Sequence, residues 1–173
     1  MAYTVRQGRP EDAPAIHRIW IEGIEASLGA RPKGDLDYEA YFESRLAVQD
    51  DVFQYFVVED ETGDIVSWQS LSPFRSNPAV AGIMAELSAY ASPTATPGRP
   101  TLLGLEALLR FADQSRLHYV VAFIAETNTK ALRLAEHVGL ERIGTFPRSP
   151  QAPHLPGLAY LVYPCRSSAE VSG

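Results

Sequence analysis

Apolar positions along this chain switch between a helical period and a strand period, and the switches mark its elements. Ile16, Ile19, Trp20, Gly23 and Ile24 recur at helical spacing behind Pro10-Glu11-Asp12, a proline and two acids suited to a first turn. They predict a helix over residues 11–27, with a short strand over 3–6 before it and a loop over 30–34 after it. Tyr38, Tyr41, Phe42 and Leu46 predict a second amphipathic helix ending near Asp50-Asp51. β-branched and aromatic residues fill 52–59 and 65–71, and Glu61-Thr62-Gly63-Asp64 between them has turn chemistry, so the two runs form a hairpin.

A further strand over 83–91 follows a loop through Pro73, Asn77 and Pro78. The stretch 93–100 holds three prolines and Gly98 and is expected to be irregular. Leu105, Leu108, Leu109 and Ala112 then mark an apolar helix over 101–115, and 119–125 is an apolar run typical of a strand covered on both faces. Ala131, Leu134, Ala135 and Val138 stand at i, i+3, i+4 and i+7, with Thr127 or Asn128 placed to cap that helix and Gly139 to end it. Strands over 140–146 and 158–163 and a polar tail over 166–173 complete the order, which predicts an α/β fold with helices on the faces of a mixed sheet.

Composition narrows this to one unit. A chain of 173 residues with 46% hydrophobic content supplies one core, here a single domain over 1–165. The net charge of −6 has the wrong sign for gripping nucleic acid or an anionic membrane. One cysteine, Cys165, excludes an internal disulfide and a multi-cysteine zinc site, and His17, His118, His137 and His154 show no metal-ligand spacing, so no metal is expected. With no long apolar span and no signal-like start, a cytoplasmic protein is expected. Glu86 stands apart because it is a carboxylate inside an apolar strand, where burial raises a pKa toward values useful to a base; the alternative is a carboxylate that orders a loop.

The element order, with Ser70-Leu71-Ser72-Pro73-Phe74-Arg75, Ala85-Glu86-Leu87-Ser88-Ala89-Tyr90 and the stretch from Asn128 through Gly139-Leu140 to Gly144, resembles the GCN5-related N-acetyltransferase (GNAT) family. Within the family, it resembles the phosphinothricin-type acetyltransferases and related amino-acid N-acyltransferases. The resemblance runs over residues 3–163 and implies a twisted mixed sheet of about seven strands flanked by about four helices. It also implies a reaction in which acetyl-CoA, or another acyl-CoA, donates its acyl group to the amine of a small amino-acid-like acceptor. By the same resemblance Glu86 is the base, Leu87, Ser88, Ala89, Tyr90 and Asn128 hold the CoA arm, and Gly98, Arg99 and Thr101 meet the pyrophosphate at a helix start. Trp20, Tyr41, Phe74, Arg75 and His154 fall on the acceptor side, and family habit suggests a homodimer. Tyr160, with His154 and Tyr163 as alternatives from the same loop and strand, is the candidate acid.

The chain departs from the family in three places. Thr96-Pro97-Gly98-Arg99-Pro100-Thr101 covers the pyrophosphate loop, where Pro97 and Pro100 have no N–H to offer an anion. Ala135 stands where the family has Tyr or His, and methyl cannot donate a proton. Pro147, Pro150, Pro153 and Pro156 replace a motif before the last strand and, at every third position, suit a polyproline II segment. Seven of the 13 prolines, these four with Pro93, Pro97 and Pro100, thus sit in two loops. The departures leave a second reading, a recruited fold that runs a CoA-independent lyase, isomerase or cyclisation step, and a third, a non-catalytic metabolite-binding domain.

Overall fold

The computed structural model describes residues 2–29, 31, 36–74, 81–96 and 98–166. Their elements are β1 (Thr4–Gln7), α1 (Ala13–Leu28), α2 (Tyr38–Ala47), β2 (Tyr55–Glu59), β3 (Ile65–Pro73), β4 (Met84–Ala91), α3 (Arg99–Gln114), β5 (Tyr119–Ala125), α4 (Thr129–His137), β6 (Glu141–Phe146) and β7 (Leu158–Pro164). The strands form one sheet in the order β1-β2-β3-β4-β5-β7-β6. Every neighbouring pair is antiparallel except β4 and β5, which α3 connects as a parallel crossover. This is the mixed seven-stranded α/β sheet with four helices that the sequence predicts.

Each sheet face carries its own core. On one face Ile16 and Ile19 of α1 and Phe42 and Leu46 of α2 close over Tyr55, Val57 and Trp68. On the other, Leu108, Leu109 and Ala112 of α3 and Ala135 of α4 pack with Leu71, Val120, Ala122 and Leu161. The alternation of strand side chains explains the division, since Trp68 and Leu71 lie an odd number of residues apart on β3 and so point opposite ways. Two glycines bring helices close to the sheet. A Cβ on Gly23 of α1 would come within 2.5 Å of the Tyr90 ring, and one on Gly104 of α3 would overlap the buried amide of Gln69.

Several boundaries differ from the sequence reading, each for a local reason. The first helix is preceded by a single 3-10 turn, Pro10–Asp12, and starts at Ala13. β2 starts at Tyr55 because Asp50 Oδ1 accepts the amides of Val52 and Phe53 at 2.7 Å each and holds them in a turn. β4 starts at Met84 because the Ile83 carbonyl is taken by the amides of His118 and Tyr119. Arg99 and Pro100, expected to be irregular, form the first turn of α3, where a helix needs no donor from Pro100. The prolines before β7 make turns in place of a polyproline II segment: the Ala152 amide donates to the Ser149 carbonyl and the Leu155 amide to the Ala152 carbonyl. Pro150 and Pro153 follow the first residue of each turn, the position that their fixed φ favours. The expected loop at 30–34, apart from Arg31, and the tail beyond Arg166 lie outside the described residues.

The edge of the sheet is pinned by charge. Asp12 is 6% exposed and takes Arg6 Nη1 and Nη2 at 2.7 and 2.9 Å and the Arg9 amide at 2.8 Å, while Arg6 Nε donates to Glu59 at 2.7 Å. Burial works against the Asp12 charge, but the Arg6 and Arg9 hydrogen bonds outweigh it and hold the carboxyl below its usual pKa. A depressed folded-state pKa gives stability that is present above the unfolded value and lost as pH falls through the folded one. Asp12→Asn should therefore lower the unfolding midpoint at pH 7, and the gap to the parent chain should narrow as pH falls below about 4 in a pH series of thermal melts. Gly104→Ala should cost on the order of 1–3 kcal/mol through the Gln69 clash. In a double-mutant cycle read by denaturant unfolding, Gln69→Ala should relieve part of that cost.

Candidate active site

The site exists because β4 and β5 part company. They register only at Met84 with Tyr119, Ala85 with Val120 and Glu86 with Val121. From Leu87 onward β4 is held by β3 alone, and from Ala122 onward β5 is held by β7 alone. Each strand thus turns one row of backbone N–H and C=O groups into the gap. A cleft of about 240 Å³ runs through this gap, lined by Ile24, Ser27 and Leu28 of α1 on one face and by Leu105 of α3 and Ala131, Leu134 and Ala135 of α4 on the other.

Glu86 is the last residue of β4 paired with β5 and lines the cleft. Among the described residues its carboxylate has no hydrogen-bond or ion-pair partner, and burial raises its pKa above the usual carboxylate range. Leu87, Ser88, Ala89 and Tyr90 continue along the same wall. Tyr90 is the cross-strand partner of Trp68 and stacks on it with ring centroids 5.0 Å apart. Burial pushes the Tyr90 phenol up, the Trp20 indole offsets this, and the Glu86 charge adds to it.

Asn128 closes the far end. Its Oδ1 accepts the Ala131 amide at 3.2 Å and caps α4, which leaves the side-chain NH2 as the group a ligand can use. Thr101 lines the cleft from the first turn of α3, and Gly98 caps that helix with φ +82°, a conformation that suits glycine. Arg99 is exposed at the same turn and makes no ion pair among the described residues.

The other sequence candidates lie off the lining. Trp20 packs on Tyr38 at 4.8 Å and on Phe42, and Tyr41 is 44% exposed on α2. Tyr160 lies flat on Phe123, with centroids 5.1 Å and planes 10° apart, and Phe74 stacks on Phe123 at 6.0 Å. Phe123 lines the cleft; Tyr160 and Phe74 adjoin it through that ring. His154 is exposed in the second proline turn, and Arg75 lies outside the described residues. Ile24, Ser27 and Leu28 are site residues that the sequence reading missed, because helical spacing marks them only as one face of α1. Ala122, Phe123, Ile124 and Ala125 were missed because an apolar strand looks the same whether its backbone is paired on one side or two.

Residues 3–141 match the acetyltransferase (GNAT) domain family, and the chain belongs to it. A Bacillus subtilis (strain 168) protein, YwnH, whose name assigns it provisionally to the phosphinothricin acetyltransferases, is 32% identical over 92 residues, 53% of this chain. The match spans 56% of that relative's length. Among solved structures, a ribosomal-protein-alanine N-acetyltransferase from Brucella melitensis is 25% identical with a TM-score of 0.78 over 93% of this chain and 99% of that one. A GNAT superfamily phosphinothricin acetyltransferase from Sinorhizobium meliloti, solved with acetyl-CoA, is 20% identical with a TM-score of 0.79 over 98% of this chain and 92% of its own, a likeness of fold.

The cap at Asn128 gives a check on the site's frame. Asn128→Ala should lower stability by about 1 kcal/mol in chemical denaturation. Asn128→Asp keeps the cap acceptor and should retain that stability while losing the NH2 donor to a ligand.

Proposed function

We propose that this chain is an acyl-CoA-dependent N-acyltransferase that moves an acetyl group to the amine of a small amino-acid-like acceptor, with Glu86 as base. The observation that carries the reading is a half-buried carboxylate, without a partner among the described residues, at the point where two strands separate around a cleft. Acetyl-CoA supplies an activated thioester. The residues present fit its arm: its amides are peptide-like, and the one-sided backbone rows of β4 and β5 are a ready edge for them. The Asn128 NH2 adds a donor at the α4 end, and the Arg99 guanidinium with the first turn of α3 offers positive charge to a pyrophosphate. Pro100 withholds one amide there.

An acceptor amine is protonated at neutral pH and must lose a proton before its lone pair can attack. The Glu86 carboxylate, directly or through a water, takes that proton, and its raised pKa brings it nearer the amine than an exposed carboxylate would be. A new C–N bond forms as the C–S bond breaks, and β4 amides facing the gap stabilise charge on the acyl oxygen. Glu86 gives up the first proton to solvent. The nitrogen loses a second proton as the amide forms, and water can carry it to the released thiolate, whose pKa is near that of an ordinary thiol, about 8.5. The methyl of Ala135 therefore does not block the step.

Calorimetry with acetyl-CoA tests the donor, and absence of binding at millimolar ligand would sink the reading in favour of a CoA-independent reaction. Glu86→Gln should lower turnover by about 10²-fold or more while leaving the acetyl-CoA dissociation constant within a few-fold. The rate should rise with pH through an apparent pKa above the usual carboxylate range, and Gln should abolish that limb. Raised pKa also means that the folded state binds the extra proton, so the Glu86 contribution to stability is present at low pH and lost as pH rises through the folded value. Glu86→Gln should accordingly melt slightly higher than the parent at pH 7–8.

A further inference from the structure

The cleft holds two hydroxyls that the fold does not use. Glu86, Ser88 and Tyr90 alternate on β4 toward α1, and α1 runs along the strand in the opposite sense. Three contacts set that register: Arg18 Nη2 donates to the Ile65 carbonyl at 3.5 Å, Ser92 Oγ donates to Glu22 Oε2 at 3.3 Å, and Gly23 faces the Tyr90 ring. Ile65 and Ser92 lie past the end of β4, so each step along α1 moves back along the strand. Ser27 is one turn beyond Gly23 on the same helix face, a rise of about 6 Å, and Ser88 is two residues before Tyr90, about 7 Å. Ser27 therefore stands over Ser88, and both line the cleft beside Glu86.

Ser67, Ser72 and Ser92 commit their hydroxyls to the Tyr90 carbonyl, the Glu86 carbonyl and Glu22. Ser27 and Ser88 make no such bond among the described residues, and Ser27 forgoes the carbonyl four residues back that a helical serine commonly takes. Ile24 and Leu28 give the same part of the cleft apolar walls. A carboxylate and two hydroxyl oxygens between apolar walls match a primary ammonium, which has three N–H donors and no acceptor.

We propose that Ser27 and Ser88 position the acceptor: each hydroxyl oxygen accepts one N–H of a primary ammonium whose third N–H points at Glu86. This rests on the acyl-transfer reading for what the nitrogen does next, but the hold itself can be measured without turnover. A serine hydroxyl both accepts and donates, so the same pair can follow the nitrogen as its lone pair turns from Glu86 toward the thioester.

The test is a ligand-observed NMR titration of the full chain with ethylammonium and with N,N-dimethylethylammonium, which keeps one N–H for Glu86 and has none for the serines. Ethylammonium should bind at least about tenfold more tightly, the loss expected when hydrogen bonds to a charged group go unmade. Ser27→Ala and Ser88→Ala should each cut that preference about threefold or more, and Ser88→Thr, which keeps the hydroxyl, should retain it. Acetyl-CoA affinity, read by calorimetry, should stay the same in all three variants, which a general disturbance of the cleft would not allow. No binding of ethylammonium to the parent chain, or a preference that both alanine variants leave untouched, overturns the proposal. So does a Ser88→Ala variant that loses acetyl-CoA and keeps the amine preference, since that hydroxyl would then serve the donor. If the parent chain binds ethylammonium as expected but not acetyl-CoA, the positioning stands and acyl transfer falls; the reverse result leaves acyl transfer and removes the two serines from it.

Discussion

β4 and β5 share only three registered residues, and the rest of the molecule is organised around what happens after the third. β4 stays with β3 from Pro73–Ala85 to Ser67–Ala91, and β5 stays with β7 along its whole length. Each antiparallel ladder has its own right-handed twist, and the parallel contact between them is too short to force them into one surface. The sheet therefore acts as two ribbons hinged at Glu86. Helices press on one ribbon beyond the parting: Gly23 lets α1 approach Tyr90, and Gly104 lets α3 approach Gln69. Both contacts are on the β3–β4 ribbon, so that half is clamped from both faces.

The hinge gives chemistry to groups that would otherwise be structural. In a continuous sheet the backbone of Leu87–Ala91 would be satisfied by a neighbour; here it faces a cleft and can bind a peptide-like arm. Glu86 would be a costly carboxylate between two paired strands, whereas at the hinge it is half out of water with room for a substrate. The cleft is lined by α1 on one face of the sheet and by α3 and α4 on the other, with Glu86 on its wall.

Much of this was legible in the residues, and the limits are physical. Asp60 shows why the hairpin was readable: its Oδ1 collects the amides of Thr62 and Asp64 and the Thr62 hydroxyl, so the turn is encoded locally. Asn128 was readable for the same reason, since a cap is a contact three residues long. The separation of β4 from β5 was not readable, because it is set by which strand each prefers on its other side. Arg99 and Pro100 depart from the expected irregular stretch because a proline that breaks a helix interior fits a helix start, which has no use for the missing donor. The proline turns before β7 are not legible, because spacing alone cannot separate a polyproline run from prolines that each follow the first residue of a turn.

The two departures at the family's donor end therefore have different weight. Pro100 sits inside a properly formed first turn, so the helix still presents its remaining amides and its dipole, and the loss is one hydrogen bond among several. Ala135 is 5% exposed against the cleft wall, where a methyl keeps the passage between α4 and the strands open. Neither change touches Glu86 or the one-sided backbone rows beside it. On the proposed reading, the group that takes the proton is unchanged, and the changed part is one for which water and a weakly basic leaving group can substitute.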